Sequence, residues 1–239
     1  TVKYSTDCGI PIWSATYSSS NSSFMANGID IDDNGNVYVV GTEYKTSDMD
    51  MITIKYNSSG IEQWSENFDF GGNDRGNDIG VSSNGNVYIC GASYFNSTRL
   101  EDMCILAYNS SGSIAYGPAH FNSPAYGNLG YDEAYALTID ENGWDWGNGV
   151  YIAGGYDNGQ NCGTPCYTDA QIVHYRLNLT FDNPDNFAHY GCYPPGDDYF
   201  TDIEVSSLTG KVYGVGTKYC VETPLDPGHE MFVFMTYWE

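Results

Sequence analysis

The sequence predicts an all-β fold, a four-bladed β-propeller of four-stranded antiparallel blades that is closed by pairing of the N- and C-terminal strands. A Val-Tyr element recurs four times and a short strand ending in Tyr recurs five times, with Gly- and Asn-rich turns between them. The copies are residues 35–38, 85–88, 148–151 and 210–213 for the first element and Tyr4, Tyr56, Tyr108, Tyr175 and Tyr237 for the second. Self-similarity at a period of roughly 50 residues is typical of propellers and solenoids.

Aligning the copies gives a unit of four strands, A to D. Strand A covers residues 28–32, 78–82, 136–140 and 202–206. Strand B is the Val-Tyr element, and it ends at Gly41, Gly91, Gly154 or Gly216. The A–B turns contain Asn-Gly or a similar pair, which between alternating apolar runs is the strongest short signal of a hairpin. Strand C is the Tyr-ended strand, and strand D carries an aromatic residue such as Trp64 or Tyr116. No segment has helical periodicity.

We expect a single domain over residues 1–239, with blades at about 24–67, 75–119, 131–190 and 199–239 plus 1–17. Residues 1–17 contain strands C and D alone, and residues 202–239 contain strands A, B and C alone, so the chain has one C strand too many. Three interpretations follow. The extra strand is an outer arm of a self-closed ring, the N-terminal pair completes a neighbour's blade head to tail, or the chain is a piece of a longer propeller.

The charge of the chain excludes two classes of partner. It has 31 acidic and 8 basic residues and a formal charge of -23. Such a field repels nucleic acid and anionic lipid. No apolar run approaches the ~18 residues of a membrane span. The chain begins at Thr1 without Met, which fits a mature secreted chain or a fragment.

Sequons and cysteines indicate a secreted, extracellular or cell-surface protein. Glycosylation acceptors of the N-x-S/T type are Asn21, Asn57, Asn96, Asn109 and Asn178. The seven cysteines suggest an oxidising compartment. By topology, Cys90 and Cys104 are either a disulfide or two buried thiols. The other expected pairs, with Cys8 left over, are Cys162 with Cys166 and Cys192 with Cys220.

Residues 31–41, residues 50–56, Gly60 and Trp64 together resemble the SBBP-type β-propeller repeat. The resemblance extends over nearly the whole chain and is strongest in the first two copies. It implies a propeller fold and a place among secreted and surface proteins of bacteria and archaea. It implies no catalytic residues, and the family is usually associated with seven blades, more than this chain contains.

Acidic residues recur before strands A and C and predict a strongly negative face. We expect no cofactor, and Ca²⁺ near the channel mouth, at Asp78 and Asp202, is the alternative that the sequence leaves open. The other reading of these aspartates is capping of turns by their own side chains. Residues 30–35 match the first half of an EF-hand loop, but Gly41 replaces the final Glu, so a plain hairpin turn is predicted.

Trp144 and Trp146 lie in an expanded turn. They either bind a sugar or a partner or fold back over the blade. No catalytic motif is present, so we predict a protein that is not an enzyme. The expected function is an extracellular structural or adhesive module, a subunit of a surface assembly or filament that associates through its terminal strands. The alternative is a carbohydrate-binding lectin for extracellular glycans that uses aromatic and Asp side chains of the loop face.

Overall fold

The computed structural model describes residues 1–6, 9–96, 99–121, 131–142, 148–157, 168–180, 188–190, 197–223 and 226–235. All regular structure in these residues is antiparallel β-sheet, which confirms the all-β prediction. They contain no helix, and therefore none that is long and apolar enough to cross a membrane.

The described chain forms a two-stranded hairpin followed by four sheets, in which consecutive strands are neighbours. The hairpin consists of β1 (Val2–Tyr4) and β2 (Pro11–Ser14). Sheet 1 consists of β3 (Ser23–Ile31), β4 (Val37–Tyr44), β5 (Met49–Tyr56) and β6 (Glu62–Phe68). Sheet 2 consists of β7 (Asp74–Val81), β8 (Val87–Asn96), β9 (Arg99–Tyr108) and β10 (Ile114–Phe121). Sheet 3 consists of β11 (Glu133–Asp140), β12 (Gly149–Asp157), β13 (Thr168–Arg176) and β14 (Ala188–Tyr190). Sheet 4 consists of β15 (Tyr199–Val205), β16 (Val212–Thr223) and β17 (Asp226–Met235).

The sheets are stacked in chain order through their A strands. β3 packs on β7, β7 on β11, and β11 on β15. We call the face of a sheet that meets the preceding sheet its rear face and the opposite face its front face. Among the described strands, β15 and β3 share no interface comparable with these three. The structure is therefore an open row of sheets, and the closure predicted from the sequence is not part of it.

Each A strand has a β-bulge at the same place, and a glycine of the B strand lies beside it. The register shifts at Asn27, Asn77, Tyr135 and Thr201. The glycines are Gly41, Gly91, Gly154 and Gly216, where a Cβ atom would lie between 1.8 Å and 2.1 Å from a carbonyl oxygen of the A strand. Only a hydrogen atom fits in this space, which explains the glycine that recurs in strand B of every copy. The expectation that strand B ends at this glycine was wrong, because β4, β8, β12 and β16 all continue beyond it.

The bulge directs a side chain onto the next sheet. The amide of Asn27 donates to the carbonyl oxygen of Gly76 at 2.8 Å, and the amide of Asn77 donates to that of Ala134 at 2.9 Å. In sheet 3 the bulged residue is Tyr135, and its ring contacts Tyr199 with the centroids 5.8 Å apart. The bulges therefore join successive A strands as well as bending them.

At the three interfaces between successive sheets, the core side chains have a similar total volume but differ in residue type. Each interface combines one residue of strand B, one of strand C and one of the following strand A. These sets are Val40, Met51 and Gly76, then Cys90, Met103 and Ala134, and finally Ala153, Ala170 and Phe200. As the first two residues become smaller, the third becomes larger, which keeps the core close-packed.

Tryptophans of the D strands fix the outer part of the stack. The indole N–H of Trp64 in sheet 1 donates to the carbonyl oxygen of Ser110 in sheet 2 at 3.2 Å. In the same way, Trp13 of the hairpin donates to Ser58 of sheet 1 at 3.1 Å and covers Gly60. The hairpin therefore packs on the outer part of sheet 1 in the same way as the D strand of sheet 1 packs on sheet 2.

Gly91→Ala is expected to destabilise the protein by about 3 kcal/mol, because the new methyl group would overlap a backbone carbonyl oxygen that cannot move aside. Gly85→Ala is the control. Gly85 has a φ of 84°, yet a Cβ atom there meets nothing closer than 3.6 Å, so we expect a loss of about 1 kcal/mol. Urea unfolding of both variants measures the difference. An equal or smaller loss for Gly91→Ala would contradict the proposed role of the glycine.

Candidate interaction surface

The rear face of sheet 1 is open along its A strand. Ile29 of β3 is 59% exposed, whereas the residues at the same position in sheets 2, 3 and 4 are Ile79, Leu137 and Ile203, which are 4%, 7% and 3% exposed. Ile31, two residues further along β3, is also 59% exposed. The other three rear faces are covered by a preceding sheet, whereas no described sheet precedes sheet 1.

The outer half of the same face is covered by the hairpin and the residues that follow it. Trp13, Ala15 and Tyr17 pack with Phe24 on a cluster of buried side chains of β4 and β5. Between them lies a cleft of about 220 Å³ whose apolar walls include Phe24, Val39 and Ile54. The rear face of sheet 1 is thus only half covered, and this is the largest difference between sheet 1 and sheets 2, 3 and 4.

The front face of sheet 4 is the opposite end of the row. Tyr213 of β16 is 38% exposed, whereas the tyrosines at its position in sheets 1, 2 and 3 are Tyr38, Tyr88 and Tyr151, which are 1%, 0% and 7% exposed. Asp202 and Glu204 of β15 are exposed on this end as well. A tyrosine thus recurs at this position in the covered front faces, and no described sheet covers the front face of sheet 4.

Aspartates of the A strands connect one sheet to the next through the backbone. Asp78 accepts hydrogen bonds from its neighbour Ile79 and, across the interface, from the N–H of Leu137, both at 2.9 Å. Asp30 likewise accepts from the N–H of Val81 in sheet 2 at 2.7 Å. Burial raises the pKa of Asp78, and the negative charges of Asp202 and Asp30 raise it further.

Asp78 and Asp202 were the residues predicted for Ca²⁺. Both oxygens of Asp78 accept backbone hydrogen bonds, and one oxygen of Asp202 accepts from Ile203 at 2.9 Å. Within the described residues, no group of three or more His, Cys, Asp or Glu is placed to hold a metal ion. Because Ca²⁺ takes six to eight oxygen ligands, the alternative stays a prediction without a described ligand set.

The segment that resembles half an EF-hand is a hairpin turn. Asp32 accepts from the N–H groups of Asn34 and Asn36 through one oxygen and from the Asn36 amide and the Tyr38 hydroxyl through the other. Burial opposes ionisation of this carboxyl, but these hydrogen bonds prevail and lower its pKa. The turn itself therefore uses both oxygens of Asp32.

The strongly negative face expected before strands A and C needs correction, because many of its acids are buried. Asp50, Asp74, Asp102, Asp132, Asp169 and Asp198 have exposures of 5% or less. Asp50 forms an ion pair with Lys45, and Asp74 accepts from the N–H of Phe70 at 2.7 Å and from the Ser93 hydroxyl. At least these two cap or pair within the fold instead of facing solvent.

An ion-pair network that the sequence did not indicate joins sheets 2 and 3. The guanidinium of Arg75 on β7 pairs with Glu101 of its own sheet and with Glu133 of β11, the latter at 3.3 Å. Asn77 also donates to Glu133 at 2.8 Å. Arg75 has no basic counterpart in the other A strands, so no repeating signal pointed to it.

Cys90 and Cys104 are free, buried thiols, which is the second of the two arrangements that the sequence left open, and the disulfide between them is not formed. In the strand register Cys104 lies opposite Gly91, one residue away from Cys90. Because neighbouring residues of a strand point to opposite faces, Cys90 enters the front cluster of sheet 2 and Cys104 the rear cluster.

Three of the predicted glycosylation acceptors begin tight turns. The side-chain oxygens of Asn57, Asn109 and Asn178 accept from the N–H of the residue two positions later, at 3.0, 2.9 and 3.0 Å. Asn21 is exposed before β3. Asn96 lies on β8, and its side chain is not among those that the structure describes.

The remaining predicted site residues lie outside the described residues. These are Trp144, Trp146, Cys162, Cys166 and Cys192, together with the side chain of Cys220. The tryptophan site and the two other disulfides stay predictions.

The chain matches no protein-family model and no curated protein. The likeness to the SBBP-type repeat therefore stays a resemblance.

Lowering the pH from 7 towards the ordinary carboxyl pKa of about 4 is expected to raise the stability of the protein. The pKa of Asp78 is higher in the folded chain than its ordinary value, and burial and the neighbouring Asp202 do the same to Glu204. Such groups bind more protons when folded, so their cost is absent below the unfolded pKa and appears as the pH rises through the folded pKa. Asp32, with a lowered pKa, reverses the trend at still lower pH.

Urea midpoints at the two pH values test this expectation. The rise should be smaller in Asp78→Asn than in Asp33→Asn, which removes the same charge from an exposed turn. Equal rises in the two variants would contradict a contribution from Asp78.

Native protein treated with iodoacetamide should remain unlabelled at Cys90 and Cys104. Burial raises the pKa of both thiols, and the thiolate is the reactive form. Both cysteines should be labelled in urea without prior reduction, because neither is in a disulfide. Peptide mass spectrometry reads out the labelling, and a need for reductant would show that they are oxidised.

Proposed function

We propose that this protein is an extracellular structural or adhesive module of the propeller type, not an enzyme, which assembles through the two open ends of its row of sheets. One observation carries the proposal. The same interface between a front face and a rear face occurs three times among the described strands, and no described sheet covers the rear face of sheet 1 or the front face of sheet 4.

The composition of the two open faces supports this function. A rear face with Ile29 and Ile31 exposed along its A strand resembles the covered rear faces more than a solvent-facing surface. Exposed apolar patches of this kind mark interaction sites. Because the two faces differ, contact between copies is heterologous and extends head to tail, which builds rings or filaments.

The extracellular location is proposed from the charge of the sequence and from the surface turns that carry the sequons. A charge of -23 keeps such an assembly soluble in a salty exterior, and sequon asparagines begin surface turns where a modifying enzyme can reach them. The blade count of four, with completion of the ring by terminal strands, belongs to the same proposal.

Ile31→Lys should weaken self-association by about tenfold or more, because it places a charge where an apolar side chain is to be buried. Ile114→Lys is the matched control, since Ile114 is 52% exposed on β10, the outer edge strand of sheet 2, away from the open faces of sheets 1 and 4. Light scattering after size-exclusion chromatography and negative-stain microscopy measure the assemblies. A wild-type protein that remains a monomer at its highest soluble concentration would sink the proposed function.

A further inference from the structure

Two A–B turns of the row share one backbone conformation and the same Asn-Gly pair. Asn34 and Gly35 lie in the turn between β3 and β4, and Asn84 and Gly85 lie in the turn between β7 and β8. In both turns the N–H of the glycine donates to the carbonyl oxygen three residues earlier at 2.8 Å, and the glycine φ angles are 75° and 84°. Both asparagines are exposed. Differences between the two pairs must therefore come from their side chains.

An asparagine followed by glycine is chemically reactive, because no side chain shields the next backbone nitrogen. That nitrogen attacks Cγ of the asparagine, its proton leaves with the amide nitrogen as ammonia, and a five-membered cyclic imide forms. Water then opens the imide at one of its two carbonyl carbons, which gives aspartate or isoaspartate. Ring closure requires the carboxamide to rotate towards the backbone. Hydrogen bonds that hold the carboxamide in another orientation therefore slow the reaction.

In the turn of sheet 2 the carboxamide is held in place. Oδ1 of Asn84 accepts from the N–H of Asn86 at 3.0 Å and from the hydroxyl of Ser82 at 2.8 Å. The same hydroxyl also lies 3.0 Å from the carbonyl oxygen of Asn86, which keeps it inside the turn. Asparagine side chains commonly close turns in this way. Both hydrogen bonds to Asn84 must break before its Cγ can approach the nitrogen of Gly85.

In the turn of sheet 1 an aspartate takes over this role. Oδ1 of Asp32 accepts from the N–H groups of Asn34 and Asn36 at 3.0 and 2.9 Å. The N–H that corresponds to the Asn86 donor of sheet 2 is thus already occupied. The carboxamide of Asn34 forms no hydrogen bond with any described residue. Asn34 can therefore rotate towards the nitrogen of Gly35 without breaking a side-chain hydrogen bond.

We infer that Asn34 is a site of spontaneous deamidation, in which its Cγ bonds to the nitrogen of Gly35 and ammonia leaves, whereas Asn84 in the matching turn keeps its amide. Opening of the imide adds a negative charge next to Asp33. Isoaspartate also lengthens the main chain by a methylene group, three residues after Ile31 of the open rear face. This modification does not depend on the proposed assembly.

Exchanging the residues that begin the two turns tests the cause. Ser82→Asp should release Asn84 and accelerate its deamidation, whereas Asp32→Ser should let Asn34 accept the hydrogen bonds that Asn84 accepts now and slow its reaction. Asp33→Ser is the matched control and should leave Asn34 labile, because it removes a charge from the same turn without removing a hydrogen bond to either asparagine. Unfolding midpoints in urea show which variants are folded. Folded variants that keep the wild-type rates at both asparagines overturn the inference.

Peptide mass spectrometry of native wild-type protein kept at mildly alkaline pH tests the difference without any variant. Asn34 should deamidate at least about tenfold faster than Asn84, because two hydrogen bonds hold Asn84 and none holds Asn34. In urea the two rates should converge, since unfolding removes these hydrogen bonds. Equal rates in the native protein overturn the inference. A difference of the same size in urea overturns it as well, because the cause would then be the neighbouring residues and not the fold.

Discussion

The stack of sheets depends on a space too small for a methyl group. Beside each A-strand bulge, the B strand comes so close to a carbonyl oxygen that only glycine fits. This contact keeps the bulge in place, and the bulge turns Asn27, Asn77 or Tyr135 towards the following sheet. The close approach of strands A and B within one sheet thereby determines which side chain contacts the next sheet.

Much of the fold within each sheet is predictable from the sequence, because hairpin turns and period-two alternation are local signals. The glycine after the Val-Tyr element was visible as a marker, but its cause was not, since it depends on a bulge one strand away. Cys90 and Cys104 show the limit more sharply. They lie on adjacent strands, yet a register offset of one residue places them on opposite faces of the sheet.

The candidate surface was predictable only in outline. Counting strands showed that one C strand is surplus, but not that β2 already lies against sheet 1 through Trp13. The exposed residues Ile29 and Ile31 are branched and apolar like their counterparts in the covered sheets, so the sequence cannot distinguish them. The sequence does not reveal the ion-pair network of Arg75, because the network occurs at one interface only and a repeat pattern shows only residues that recur.

The changing volumes at the interfaces affect how the chain folds. Repeats with similar sequences can stack in the wrong order, because each presents a similar apolar face. Here a sheet that skipped its neighbour would meet a mismatch. Phe200 would press on Val40 and Met51 if the rear face of sheet 4 docked on the front face of sheet 1. Gly76 would leave a void against Ala153 and Ala170 if sheets 2 and 3 exchanged order. The different side-chain volumes at each interface thus fix the order of these similar sheets. They also limit the shuffling of the repeats during evolution.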